Sequence, residues 1–446
     1  MTSISTPQTT AEWHRRVVWL AVPIILSNLT VPLVGIVDTA VMGRMDSSAY
    51  LSATAIAATL FSSIYWIFGF LRMGTSGLLS QALGAANHVR AERTALRSIG
   101  LALVFGVLTW FTGPTLFTLG MWSMRVPPDV YGLAESYFSI RLISAPATLM
   151  LYSIIGILVG QQRMPQVLAV QLLLNVGNII LTIWFFAFFD WHIKGVAAAT
   201  VISEYAAAFL GLWLLRSSLG MRQHLLQSES LAWIWDKQRL AEFFRIGRDL
   251  FIRTLCLTAS FYWLTVLSSR LGVTVLAVNA ILLQMVHFMS HALDGFSHAA
   301  ETLAGHAYGK RDRPAFSNAV KAASIWGAVM AMMFTVVYAL FGSAIFNVMT
   351  TQTEVQNAAT TWLWWVALTP LIGVWSFLLD GIFIGTTHTR EMRNGMIIST
   401  ALFLSASLVL VPLLGNHGLW SSYCILMLAR AATLGWWYPR LLILKN

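Results

Sequence analysis

The sequence predicts an all-α polytopic membrane protein of about twelve transmembrane helices, at roughly twenty apolar residues per crossing. Three observations carry that prediction. Of 446 residues, 57% are hydrophobic and only 10% are charged, which places the chain outside the range of soluble domains. Apolar runs of spanning length recur along the whole chain. The basic residues crowd the connections on one side of those runs and are nearly missing from the other.

The runs lie at 17–41, 50–79, 96–121, 137–160, 166–189, 193–216, 250–270, 274–299, 319–346, 360–385, 395–414 and 418–438. The longest polar connection is 217–249, and no stretch has the composition of an extramembrane domain. Arg15, Arg16, Arg90, Arg93, Arg97, Arg163, Arg216, the cluster from Arg222 to Arg248, Lys310, Arg311, Arg313, Arg390, Arg393 and Arg440 fall on one side. The other side holds Arg44, Arg125, Lys194 and Arg270. This is the positive-inside pattern, and it puts both termini in the cytoplasm. The net charge of +10 is therefore topological, and no nucleic-acid partner is expected. Cys256 and Cys424 sit inside apolar runs, so no disulfide framework is indicated. The first run is too long for a signal-peptide core and counts as a span.

The two halves echo each other. Gly74, Ser76, Gly84, Ala86 and Arg90 recur as Gly295, Ser297, Gly305, Ala307 and Arg311, each pair 221 residues apart (295 minus 74). Gly156 and Gly160 match Gly381 and Gly385, with Pro146 and Pro370 upstream. A duplicated bundle with parallel repeats follows. The expected division is an N-lobe at 1–220, a cytoplasmic linker at 221–245 and a C-lobe at 246–446.

The chemistry centres on the first span, which carries one acid, Asp38, well inside its apolar run. An ionisable group at that depth is costly; it faces the protein interior and has a function. Ser27, Asn28, Val31, Val34 and Gly35 share or adjoin its helical face. Pro23 and Pro32 each remove a backbone donor, and with Gly35 they make this a helix that is bent or able to bend. On the fifth span Gln171, Asn175, Asn178 and Thr182 form one face, and the sixth adds Thr200 and Glu204. These could line one pocket with Asp38, in which Asn178 would hydrogen-bond the acid. Interhelical bridging is the alternative for Gln171 and Asn175. In the second half His287, His291, Asp294, His298 and Glu301 form one stripe, and Asp380 sits within the tenth span. At the 221-residue spacing Asp38 corresponds to Ala259, so the two halves differ chemically. The stripe lacks a zinc signature, because Phe288 follows His287, and no metal is expected. Arg72, Arg141, Arg253 and Arg430 are the basic residues within spans, and Arg253 is available to neutralise one of the acids.

Pro23, then Asp38-Thr39, then Met42-Gly43-Arg44, resembles the first helix of the multidrug and toxic compound extrusion (MATE) transporters. The run DGIFIGTTHTREMRN from Asp380 to Asn394 resembles the DNA-damage-inducible protein F (DinF) branch, and Asn178-Ile-Ile-Leu resembles the family's fifth-helix motif. The resemblance covers nearly the whole chain. It implies two six-helix lobes, related by a pseudo-two-fold axis, around a central cleft. It also implies export of lipophilic, often cationic compounds coupled to H⁺ or Na⁺. Asp38 matches the coupling acid and Pro23 the kink proline. Many members carry Asp where this chain has Thr182, and sodium-coupled members of the NorM branch use a Glu in the seventh helix, which is missing from Phe251–Arg270. Both departures favour H⁺ over Na⁺.

The expected protein is a proton-coupled antiporter of the bacterial inner membrane. It is not an enzyme, carries no cofactor, takes small drug-like substrates within the lipid bilayer, and acts as a monomer. Asp38 and Asn178 would carry proton coupling; the His287–Glu301 stripe and Asp380 would line the C-lobe side of the cleft. The rivals are a sodium-coupled exporter, a lipid-linked flippase using cleft-facing basic residues, and an intramembrane metalloenzyme built on the histidines.

Overall fold

A computed structural model describes residues 7–45, 47–189, 191–216 and 236–443. The elements are α1 (Thr10–Met42), α2 (Ser48–Trp66), a 3-10 turn (Ile67–Gly69), α3 (Phe70–Gly84), α4 (His88–Met124), α5 (Pro128–Leu142), α6 (Ala145–Gly160), α7 (Met164–Phe189) and α8 (His192–Leu215). There follow α9 (Lys237–Arg270), α10 (Val273–Gly309), α11 (Arg313–Met349), α12 (Thr353–Ala359), α13 (Leu363–Gly385), α14 (Thr389–Leu414) and α15 (Asn416–Leu441). Helix is the outcome these runs demand, because a backbone in hydrocarbon must satisfy its own hydrogen bonds.

Among the described residues ten helical stretches are long and apolar enough to cross a membrane, and a bent pair makes an eleventh. The twelfth expected span is α15, a helix of 26 residues, long enough to cross but less apolar because it carries Asn416, His417 and Arg430. One expected span is broken, and another starts slightly late. The run read as 137–160 is α5 followed by α6, bent by 52°. Pro146 lies in the first turn of α6, where it has no N–H to give the Leu142 carbonyl and its ring crowds that carbonyl, so α5 cannot run straight on. The run read as 360–385 begins only at Leu363, after the separate short helix α12. The linker expected at 221–245 lies outside the described residues as far as 235; its remainder is already helical, since α9 starts at Lys237.

Contacts divide the chain into two compact units. The first contains residues 26–83 and 87–244; the second contains α1 up to Ile25, Gly84–Ala86, and the chain from Arg245 onward. The boundary in α1 falls between Pro23 and Pro32, and the helix is unbroken through both prolines. Within the first unit a hydroxyl chain joins α3, α4 and α6: Thr75 Oγ1 lies 2.5 Å from Ser98 Oγ, which donates to Ser153 Oγ at 2.7 Å. Within the second, Asn279 of α10 donates to Ser268 of α9 at 2.8 Å and to Asn416 of α15 at 2.7 Å, and accepts from Trp420 at 3.0 Å. These polar groups find their partners within the protein, since hydrocarbon supplies no substitute.

The internal duplication is visible in the element boundaries. Helices α4 and α11 start and end 225 residues apart (313 minus 88, 349 minus 124), and α7 and α14 do the same (389 minus 164, 414 minus 189). Left-handed residues recur at that spacing, Ala86 with Arg311 and Gln162 with Thr387. So do the caps, Asn87 accepting from Arg90 N and Asp312 accepting from Ala315 N. Gly156 and Gly160 approach the α3 backbone at Arg72 and Ser76, as Gly381 and Gly385 approach α10 at Ser297 and Glu301. A Cβ at any of the four would be crowded, which is how small residues let membrane helices meet closely. The glycine match on α6 and α13 thus has the structural spacing. The match of Gly84 to Gly305 is four residues out, since Gly84 ends α3 where Gly309 ends α10. The error is one helical turn, because small residues repeat every turn along a packing face. The counterpart of Asp38 shifts past Ala259 into 263–266, which carries no charge, so the chemical difference between the halves remains.

Candidate functional site: two buried charge clusters

The first cluster lies within the first unit, where α1, α5, α6 and α8 bring polar side chains together. Glu204 of α8 is buried; its Oε2 accepts from Thr148 Oγ1 of α6 at 2.7 Å, and its Oε1 lies 3.6 Å from Arg141 Nη2. Arg141 is on the last turn of α5, immediately before the bend. The bend therefore positions it, and aromatic groups line its path. Its guanidinium carbon is 4.8 Å from the centre of the Phe61 ring, and its Nη1 donates to Tyr137 OH at 3.4 Å.

Asp38, on α1, is half-buried, and its Oδ1 is buried without a hydrogen-bond partner. Arg141 is the charge that acts on it, and the Thr182 hydroxyl of α7 is likewise buried without a hydrogen-bond partner. The cluster thus holds two carboxylates and one guanidinium, and Glu204 has the closer claim on the guanidinium.

The expected hydrogen bond from Asn178 to Asp38 is not formed. Asn178 Nδ2 donates instead to Thr200 Oγ1 at 2.9 Å, and its Oδ1 is buried without a partner. Thr200 is on the facing helix, one short connection away, and a hydroxyl there satisfies the amide with no desolvated charge. Asn175 donates to Thr30 of α1 at 2.6 Å, so of the two roles open to it the structure shows interhelical bridging. Gln171 is half-buried one turn away, Thr182 is fully buried, Pro23 and Pro32 are half-buried, and Gly35 has open space where a Cβ would be.

The second cluster lies within the second unit. Asp380 of α13, only 7% exposed, is ion-paired with Arg253 of α9 and with Arg430 of α15, the latter at 2.7 Å. Asp380, expected on the C-lobe side of the cleft, thus has two guanidiniums on its carboxylate. Arg253 was available to any of several acids, and packing assigns it to this one. Of the stripe, Glu301 is buried and lies 2.9 Å from His298 Nδ1. His291 and Asp294 are half-buried, and His287 is exposed with its ring 5.2 Å from Phe261. Among the described residues no three His, Cys, Asp or Glu side chains are placed to hold a metal ion.

Arg141, Thr148, Tyr137 and Arg430 join the clusters in the structure without having been expected at a site. The signal for the arginines was present, because a charge inside a span needs a partner of opposite sign. Nothing local says which acid that partner is.

The MatE family matches residues 23–184 and 250–413. The chain is 38% identical over 426 residues to the DNA damage-inducible protein F of Escherichia coli (strain K12), covering 95% of this chain and 90% of that one. It is 22% identical over 409 residues to the multidrug export protein MepA of Staphylococcus aureus (strain MSSA476), covering 90% and 88%. The fold is similar to a solved outward-facing conformation of a multidrug resistance MATE family transporter of the MOP superfamily, with TM-score 0.86 at 19% identity over 99% of this chain and 100% of that one.

Proposed function

The chain belongs to the MatE family of transporters, and on that premise we propose that it is a proton-coupled multidrug antiporter with Asp38 as its coupling acid. It exports lipophilic, often cationic compounds across the bacterial inner membrane as a monomer, with both termini in the cytoplasm. The observation that carries the reading is the unequal state of the two acids in the first unit. Glu204 has a hydroxyl donor and the nearer guanidinium contact, whereas Asp38 has a buried oxygen with no hydrogen-bond partner. The cluster carries net negative charge, and one proton on Asp38 cancels it.

That charge gives an exchange mechanism. Ionised, the cluster attracts a cationic substrate; protonated, it loses that attraction and releases the cation. A proton and a substrate cation that both neutralise the same charge bind antagonistically, and coupling needs such a differential interaction. Alternating access then requires the protonated and substrate-loaded forms to favour different conformations of α1. The Asn175–Thr30 bond, the two prolines and the open space at Gly35 support α1 as the moving part.

A fluorescent cation loaded into proteoliposomes under an imposed pH gradient tests this. Export should follow the pH gradient and be unchanged when Na⁺ is replaced by an inert cation. Export that requires Na⁺ and ignores pH would replace the proton reading with the sodium-coupled one. The flippase reading needs guanidiniums free to hold phosphate, and Arg141, Arg253 and Arg430 each face a carboxylate.

A further inference from the structure

A second polar site lies away from both clusters, at the end of the first unit that the positive-inside pattern assigns to the cytoplasm. A cavity of about 280 Å³ opens there between the start of α4 and the start of α9. That is the space of roughly nine waters at ~30 Å³ each. Arg90, Arg93 and Arg97 line it from α4, where the spacing puts them on one face, and Arg239 lines it from α9. Asp236 and Glu242 are the acids of the lining. Among the described residues, four guanidiniums against two carboxylates make the lining net positive.

The acids are already engaged. Asp236 Oδ1 accepts the backbone N–H groups of Gln238 and Arg239, at 2.9 and 3.4 Å, and so caps α9. Glu242 lies between Arg239 Nη1 at 2.9 Å and Arg90 Nη2 at 3.4 Å. Arg97 is only 7% exposed, so the floor of the cavity is a buried guanidinium. The N-terminus of α4 adds the positive end of a long helix dipole.

Depth and lining point to the membrane interface. Helix α4 has 37 residues, and at 1.5 Å per residue it is about 55 Å long. A hydrocarbon core of about 30 Å leaves roughly 12 Å, or eight residues, beyond each face. Arg90 and Arg93 therefore sit at headgroup level, and Arg97, the tenth residue of α4, sits at the inner edge of that layer. The rim is apolar: Val89 is 52% exposed, and Phe244, next to the lining residue Phe243, is 45% exposed with its ring against Phe105.

We propose that this cavity binds a phosphate group, with Arg93 and Arg97 as its principal guanidinium donors and Glu242 limiting its affinity. Arginine forks match phosphate oxygens geometrically, and basic pockets on the cytoplasmic side of membrane helices suit anionic headgroups. The phosphate could belong to a lipid or to a soluble molecule, and the exposed apolar rim would suit an acyl chain.

The test is native mass spectrometry of the purified full-length protein equilibrated with phosphatidylglycerol, or with a diacylglycerol of the same chains that lacks phosphate. The wild type should retain the phospholipid and not the diacylglycerol. The double variant Arg93→Gln/Arg97→Gln should lower retention roughly tenfold or more, as loss of a charge-assisted contact implies. Glu242→Gln should raise it. Competition with millimolar inorganic phosphate separates the sources. Displacement of the lipid means that the pocket takes free phosphate; persistence means that the headgroup is held together with its chains. Equal retention of diacylglycerol overturns the proposal, as does retention unchanged by all the substitutions. If the double variant fails to fold, Glu242→Gln decides alone.

Discussion

Asp38 and Glu204 contend for one guanidinium, and that shortage determines what each substitution should do. Asp38→Asn keeps shape and hydrogen bonding but cannot titrate. It should insert at wild-type yield and lose pH-driven export to the background of empty vesicles; near-normal export would remove Asp38 from coupling. Glu204→Gln should act in a graded way. With Glu204 neutral, the full Arg141 charge bears on Asp38 and favours its ionised form. A higher proton concentration is then needed to discharge it, so the export-against-pH curve should move to lower pH. A curve that stays in place or moves upward contradicts the shared guanidinium. Asp380 belongs to a different category. Asp380→Asn leaves Arg253 and Arg430 buried without their carboxylate, and breaking a buried pair from one side costs about 3–5 kcal/mol. The expected result is a clear loss of thermal stability in detergent, larger than for Asp38→Asn. Equal stability of the two variants would mean that the ion pair contributes little.

At the scale of the element, α1 and the α5–α6 bend position the first cluster. Pro23 leaves the carbonyl one turn earlier without its donor, so straight and bent forms of α1 can lie close in energy. The boundary between the two contact units falls just beyond it, at Ile25 and Leu26. Pro23→Ala should insert normally, because alanine suits a helix, yet turn over more slowly and with a shallower pH dependence. Unimpaired export with a wild-type pH profile would make the proline a fixed kink that only shapes packing. The other element is fixed by sequence chemistry of the same kind. Pro146 interrupts what would be one span, and the 52° bend places Arg141 at the end of the shorter helix.

At the scale of the molecule, the duplication sets the frame and the charges break its symmetry. Helix boundaries and caps repeat at 225 residues. The acids and arginines do not. One unit holds a net negative cluster and the other a net positive one. Orientation in the bilayer rests on the basic connections and can be measured directly. In a background lacking Cys256 and Cys424, a cysteine at Val89 should react with an impermeant thiol reagent only from the cytoplasmic side. One at Val273, which is 85% exposed at the start of α10, should react only from outside. The reverse result would invert the topology.

The amino-acid sequence alone determined the helical class, the approximate position of the spans, the acid inside the first of them and the family. Each follows from composition or short-range periodicity, because a helix in lipid is decided by the residues within it. Packing decided the rest. Asp380 meets Arg253 across 127 residues and Arg430 across 50, and no local pattern ranks those partners. Asn178 has the right chemistry for Asp38 but lies closer to Thr200, and a hydrogen bond goes to the group within reach. The repeat was legible in its glycines but uncertain by one turn, since small residues recur at that interval along any close helix contact. Only the helix ends and caps, which are set by three-dimensional contacts, fixed its register.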